Sequence, residues 1–170
     1  MDVAPALAVV TAGIGAAVDL RSRRIPNVLT FGSAAAAFGF AAYANGLTGL
    51  GLSVSGWATG VAVFLPIFLL GGMGAGDVKL LGAVGAWLGP MPALYCALYS
   101  VLAGGLLGVL VALRHHYLRQ ALQNVWGLIG FWRAAGVRPV PGMSLSDAKG
   151  PRLAYGAAIF TGTVAAVLVR

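Results

Sequence analysis

The chain has 170 residues, of which 59% are hydrophobic and 9% charged, with a mean hydropathy of +0.90. Such a composition cannot clothe a soluble globule in polar side chains, and it points to an all-α polytopic membrane protein forming a single domain over residues 1–170. The formal charge of +7 falls in short gaps between apolar runs, without a long basic tract, so it reads as membrane orientation and no nucleic-acid partner is expected.

The first apolar run, Val3 to Val18, has the length of a signal-peptide core, but Asp2 precedes it where a signal needs positive charge. Arg21, Arg23 and Arg24 follow it. It is therefore expected to stay as a helix with its N-terminus outside. The second run, Val28 to Tyr43, starts after Ile25-Pro26-Asn27 and exits through Ala44-Asn45-Gly46. A third, Leu50 to Leu70, carries Ser53, Ser55 and Thr59, whose hydroxyls can bond within the helix or across to a neighbour. From Val78 to Leu113 a single helix would reach roughly 50 Å at about 1.5 Å per residue, which is too long. The break is expected at Gly89-Pro90-Met91-Pro92, giving a short limb, Val78 to Leu88, and a full span, Pro92 to Leu113.

A re-entrant limb would put Arg114, Arg119, Arg133, Arg138, Lys149 and Arg152 outside, against the positive-inside tendency, so the limb is read as a short spanning helix. Between Arg114 and Arg152, Leu118, Ala121, Leu122, Val125, Ile129 and Trp132 recur at helical spacing, while His116, Arg119, Gln120, Gln123 and Asn124 fall on the other face. They predict an amphipathic helix in the cytoplasmic interface, with a soluble helix packed on the bundle as the alternative. The last run, Leu153 to Val169, leads outward to Arg170. Ten of the eleven Lys and Arg then share one side, consistent with about six transmembrane helices. Trp57 and Trp87 are expected near the outer boundary, as an aromatic belt. His115 and His116, about 100° apart on a helix, do not suit a shared metal. The single cysteine, Cys96, forms neither an intramolecular disulfide nor a cysteine-based zinc site.

The acids carry the chemistry. Glutamate is absent, and of the four aspartates Asp2 and Asp147 fall in exposed segments. Asp19 ends the first helix and Asp77 begins the fourth, so both lie near the cytoplasmic boundary. Carboxylates at membrane depth cost about 2.5 to 3.5 kcal/mol on insertion scales and usually face a cavity or a partner. Two carboxyls sharing a wet cavity do not both ionise easily, so one keeps its proton while the other stays charged, as aspartic proteolysis requires. Gly71, Gly72, Gly74 and Gly76 let a substrate strand approach closely. The bland alternative makes each aspartate a helix-end anchor, Asp77 as an N-cap and Asp19 paired with nearby arginines.

The stretch GAGDVKLLGAVGAWLG, Gly74 to Gly89, and the earlier AAVDLRSRRIPNVLT, Ala16 to Thr30, together resemble the type IV prepilin peptidases, membrane aspartic proteases of the GxGD class. The resemblance covers essentially the whole chain and implies that Asp19 and Asp77 are the catalytic pair. It implies, too, that the substrates are prepilins or pseudopilins with a basic leader and a hydrophobic helix, cut at the cytoplasmic face of the bacterial inner membrane within the lipid bilayer. No metal or organic cofactor is implied. Bifunctional members, which also methylate the new N-terminus, carry an extra cytoplasmic region with paired cysteines. This chain looks more like the short branch serving Flp or tight-adherence pili, and N-methyltransferase activity is not expected. Pro151-Arg152-Leu153-Ala154-Tyr155-Gly156 departs from the family pattern, in which proline directly precedes Tyr-Gly, so no substrate role is carried over to Tyr155 or Gly156.

Gly74, Gly76 and Lys79 are the candidate substrate-binding residues. The Lys79 ammonium either snorkels to the interface, receives an acidic residue of the substrate, or holds Asp77 in its ionised form. A competing class is a proton- or cation-coupled transporter using the same two aspartates at a broken helix. Against it stand the boundary position of both acids and the lack of a corresponding acid in a second half.

Overall fold

The computed structural model describes residues 3–116, 118–138 and 154–169, and among them every element is an α-helix. The expectations for Asp2, Asp147, Lys149, Pro151 to Leu153 and Arg170 lie outside the described residues. The helices are α1 (Val3–Ser22), α2 (Asn27–Leu69), α3 (Ala75–Leu88), α4 (Pro90–Arg114), α5 (Leu118–Ala135) and α6 (Tyr155–Leu168). Three of them, α1, α2 and α4, are long and apolar enough to cross a membrane.

The predicted second and third runs follow one another as the two arms of α2, broken at Asn45 and Gly46. Gly46 has φ 59° and ψ −147°, a conformation open in practice only to glycine. The break is a reversal. A Cβ on Gly49 would strike the carbonyl oxygen of Ala41, eight residues earlier, whereas eight residues of straight helix would separate them by about 12 Å. Hydrogen bonds fix the directions of the two arms. Lys79 to Asn27 and Trp87 to Ser33 run the first arm parallel to α3, while Ser53 to Ala86, with Gly56 against Gly85 and Gly60 against Leu81, makes the second arm antiparallel to it. The second arm ends in a Schellman motif: Gly71, at φ 79°, donates to Phe68 O, and Gly72 donates to Ile67 O.

The α3–α4 break falls at Gly89 alone, with φ 86° and ψ 176°, and Pro90 begins α4, where a missing N–H costs nothing. Proximity of Gly162 to Ser100, and of Gly104 to the Tyr155 ring, runs α6 antiparallel to α4. Proximity of Gly156 to Ala16 and of Gly13 to Phe160 runs it antiparallel to α1. Successive runs therefore reverse as the sequence predicts, and the C-terminal end of α1 lies with the starts of α3 and α6.

Packing follows the membrane rule that small residues let helices approach while large ones face outward. The buried face of α1 is Ala8, Thr11, Ala12, Gly15, Ala16 and Asp19, spaced by three and four, so the stripe that packs the helix also carries the carboxylate inward. Gly56 and Gly60 of α2 lie against the backbone of α3 at Gly85 and Leu81, too close for a Cβ on either. Helix α3 is consequently buried almost all round, with Leu80, Leu81 and Val84 fully covered. Leu98, Leu102 and Leu106 of α4 are exposed, as a lipid-facing surface requires.

The predicted aromatic belt is modified by packing. Trp87 donates its indole N–H to Ser33 Oγ at 2.9 Å, and Trp57 lies over Gly82, so both rings are partly buried inside the bundle. Beyond α4, His116 adopts φ 54° and turns the chain into α5, which packs against α4 alone among the described helices.

Candidate active site

Asp19 and Asp77 come from different helices and meet at one end of the bundle. Both are buried, at 7% and 9% exposure, low values for carboxylates. They lie where the end of α1 and the starts of α3 and α6 come together.

Asp77 is the third residue of α3 rather than its N-cap. Gly74 holds that position, and Asp77 Oδ2 accepts the Gly74 N–H at 3.1 Å, the reach-back half of a capping box. Asp19 Oδ2 accepts the N–H of Gly156 at 3.0 Å, from the second residue of α6. One helix thus has an orphan N–H satisfied by a carboxylate on another, 137 residues away. In each aspartate Oδ1 makes no hydrogen bond among the described residues, and neither carboxylate forms an ion pair there. The anchor reading of Asp19, which needs an arginine partner, has no such pair among those residues.

Around the acids the glycines have separate tasks. Gly71 and Gly72 close α2, Gly74 caps α3 and is exposed, and Gly76 lies under Ile25, whose Cβ would be 3.1 Å from an added Cβ. Gly72, Gly74 and Ala75, with Arg21, Arg23 and Arg24, form an exposed rim beside the buried pair. The Lys79 ammonium donates to Asn27 Oδ1 at 3.0 Å and sits 5.3 Å from the centre of the Phe31 ring, tying α3 to the start of α2, and among the described residues it forms no ion pair with Asp77.

Tyr155 and Gly156, to which the sequence assigned no role, stand at the site. A Cβ on Gly156 would lie 3.0 Å from Asp19 Cβ and 3.2 Å from Ala16 Cα, so any larger residue would press on Asp19 unless the two helices moved apart by a few tenths of an ångström. The Tyr155 ring packs edge-on against Phe64, and its hydroxyl donates to Ser100 O at 3.4 Å. The one sequence signal was the Tyr-Gly pair itself. A cavity of about 420 Å3, lined by Phe40, Trp87 and Pro90 among others, opens at the other end of the bundle, away from both acids.

Residues 6–109 match the type IV leader peptidase family, and the chain belongs to that family. The matched segment contains both aspartates and ends before α5 and α6. No curated protein and no solved structure matches the chain. The protein is therefore a peptidase of this family built as a helical membrane protein.

Proposed function

We propose that the chain is an aspartic endopeptidase that removes the basic leader from prepilin or pilin-like subunits at the cytoplasmic face of the bacterial inner membrane, with Asp19 and Asp77 as the catalytic pair. The observation that carries this reading is the pair itself. Two buried carboxylates from separate helices each spend one oxygen on a backbone N–H, keep the other unbonded and lack an ion-pair partner among the described residues. A structural anchor has no need of that arrangement, and general acid–base chemistry does.

One carboxylate takes a proton from water as the water oxygen attacks the scissile carbonyl. The other, protonated, gives its proton to the carbonyl oxygen, forming a gem-diol. The first aspartate returns its proton to the amide nitrogen while the second takes back a hydroxyl proton of the gem-diol, so the C–N bond breaks, the carboxylic acid and amine leave, and the pair is restored with no covalent enzyme intermediate. Arg21, Arg23, Arg24 and Arg114 lie at the aspartate end of the described bundle, which supports a cytoplasmic site through the positive-inside tendency. Helices α3 and α6 have 14 residues each, about 20 Å, less than the roughly 30 Å hydrocarbon thickness, and both start beside the acids. Such short helices suit a recess reached by water and by a subunit whose hydrophobic helix stays in the bilayer. The exposed Gly74 rim is where the extended segment at the cut would approach.

Purified protein in detergent, given a prepilin substrate without any ion gradient, should yield a shortened product. Loss of that product in Asp19→Asn and Asp77→Asn, with both variants folded, supports the aspartic mechanism. Near-normal cleavage by either rules it out, and no cleavage by the unmodified protein leaves the transporter reading in its place.

A further inference from the structure

Helix α5 carries a stripe that neither the fold nor the peptidase site uses. Arg119, Leu122, Trp126, Ile129 and Arg133 are spaced three, four, three and four residues apart, which places them on one line along the helix. All are exposed: Trp126 is 71% accessible, Leu122 52% and Ile129 39%, although a stripe of this composition is ordinarily covered. Both ends of the line are cationic and its middle is apolar. No acidic residue occurs anywhere from Arg114 to Arg138.

We propose that this stripe docks on an anionic lipid surface, with Leu122, Trp126 and Ile129 entering the headgroup–acyl boundary and Arg119 and Arg133 holding lipid phosphates at either end. Three observations select that occupant. Helix α5 follows the membrane-spanning α4 after a short turn at His115 and His116 and packs on no other described helix, so the bilayer boundary is its immediate surroundings. The charge is of one sign and complements anionic headgroups, with each arginine near such a surface contributing roughly a fivefold bias. A second copy of the helix is disfavoured, because parallel pairing would set arginine against arginine at both ends of the stripe, and so would antiparallel pairing.

The test uses the full chain with Cys96→Ser and a nitroxide attached at the exposed Val125→Cys, which leaves Leu122, Trp126 and Ile129 in place, in nanodiscs of phosphatidylcholine with or without phosphatidylglycerol. Accessibility to oxygen against a water-soluble nickel chelate reports immersion depth. The expected result is a label in the boundary region when phosphatidylglycerol is present, with the immersed-to-free ratio falling by about 25-fold in Arg119→Gln/Arg133→Gln, two arginines at roughly fivefold each. Added salt should shift the label the same way. Because both arginines are exposed, the double variant should keep the fold, which circular dichroism and thermal unfolding check. Equal immersion in the two lipids, insensitive to salt and to the arginines, would overturn the anionic preference. Full exposure to the nickel chelate in both would overturn docking itself, and spin–spin broadening between labels would assign the stripe to a second copy instead.

Discussion

Replacing Gly156 with alanine is the most direct probe of the proposed site, because the side chain added is a single methyl. On the present backbone that methyl would sit 3.0 Å from Asp19 Cβ, 3.1 Å from Asp19 Oδ2 and 3.2 Å from Ala16 Cα, against roughly 3.5 to 4.0 Å for ordinary carbon contacts. The start of α6 and the Asp19 carboxylate must therefore separate by several tenths of an ångström. The Gly156 N–H to Asp19 bond, now 3.0 Å, then moves to the edge of hydrogen-bonding range. A hydrogen bond to a charged group contributes about 1.5–3 kcal/mol, which corresponds to a loss of roughly 10- to 150-fold if it orients the reacting carboxylate. Leader cleavage should be followed by gel shift with purified protein, beside Gly105→Ala, where nothing lies within 4 Å and alanine should be neutral or slightly favourable to α4. Thermal unfolding in detergent separates misplacement from unfolding. A Gly156→Ala enzyme as fast as Gly105→Ala, with equal stability, would refute the idea that α6 positions Asp19.

Asp19→Asn and Asp77→Asn should each lower cleavage by about 10²- to 10⁴-fold, as loss of general acid–base catalysis predicts, while the protein stays inserted and folded; single-turnover assays measure this. Gly85→Ala should lower stability by about 1–3 kcal/mol, because its methyl would enter the Gly56 backbone, whereas Gly32→Ala, with open space around it, should not; detergent unfolding compares the two. Lys79→Met and Asn27→Ala should be non-additive by about 1 kcal/mol in a double-mutant cycle of stability, reflecting their 3.0 Å bond, and additivity would show that the tie is idle. In a Cys96→Ser background, cysteines at Ser22 and His116 should label from one side of the membrane and a cysteine at Asn45 from the other, since successive runs reverse; labelling of all three from one side would undo that topology.

Much of the architecture was legible because lipid enforces local rules. A chain that must satisfy its own backbone forms helices, glycine and proline mark where they stop, and apolar length counts the crossings. Hence the reversal at Asn45-Gly46, the break at Gly89 and the amphipathic stretch after Arg114 were all readable, and so was the isolation of Asp19 and Asp77 among apolar neighbours. Family resemblance rested on the same local text, two stretches around those acids.

Tertiary structure decided what depends on distance in space rather than in sequence. The Tyr155-Gly156 pair stands out in the chain but does not say that Gly156 donates to Asp19, because that requirement comes from the close passage of α1 and α6. Lys79 is two residues from Asp77, yet its side chain leaves α3 in another direction and finds Asn27, since residues two apart lie about 200° from each other around a helix. Helical periodicity says which residues share a face. Only packing, settled by whether a glycine lets two backbones meet, says what that face touches, and the aspartate pair exists because α1, α3 and α6 approach that closely at one end.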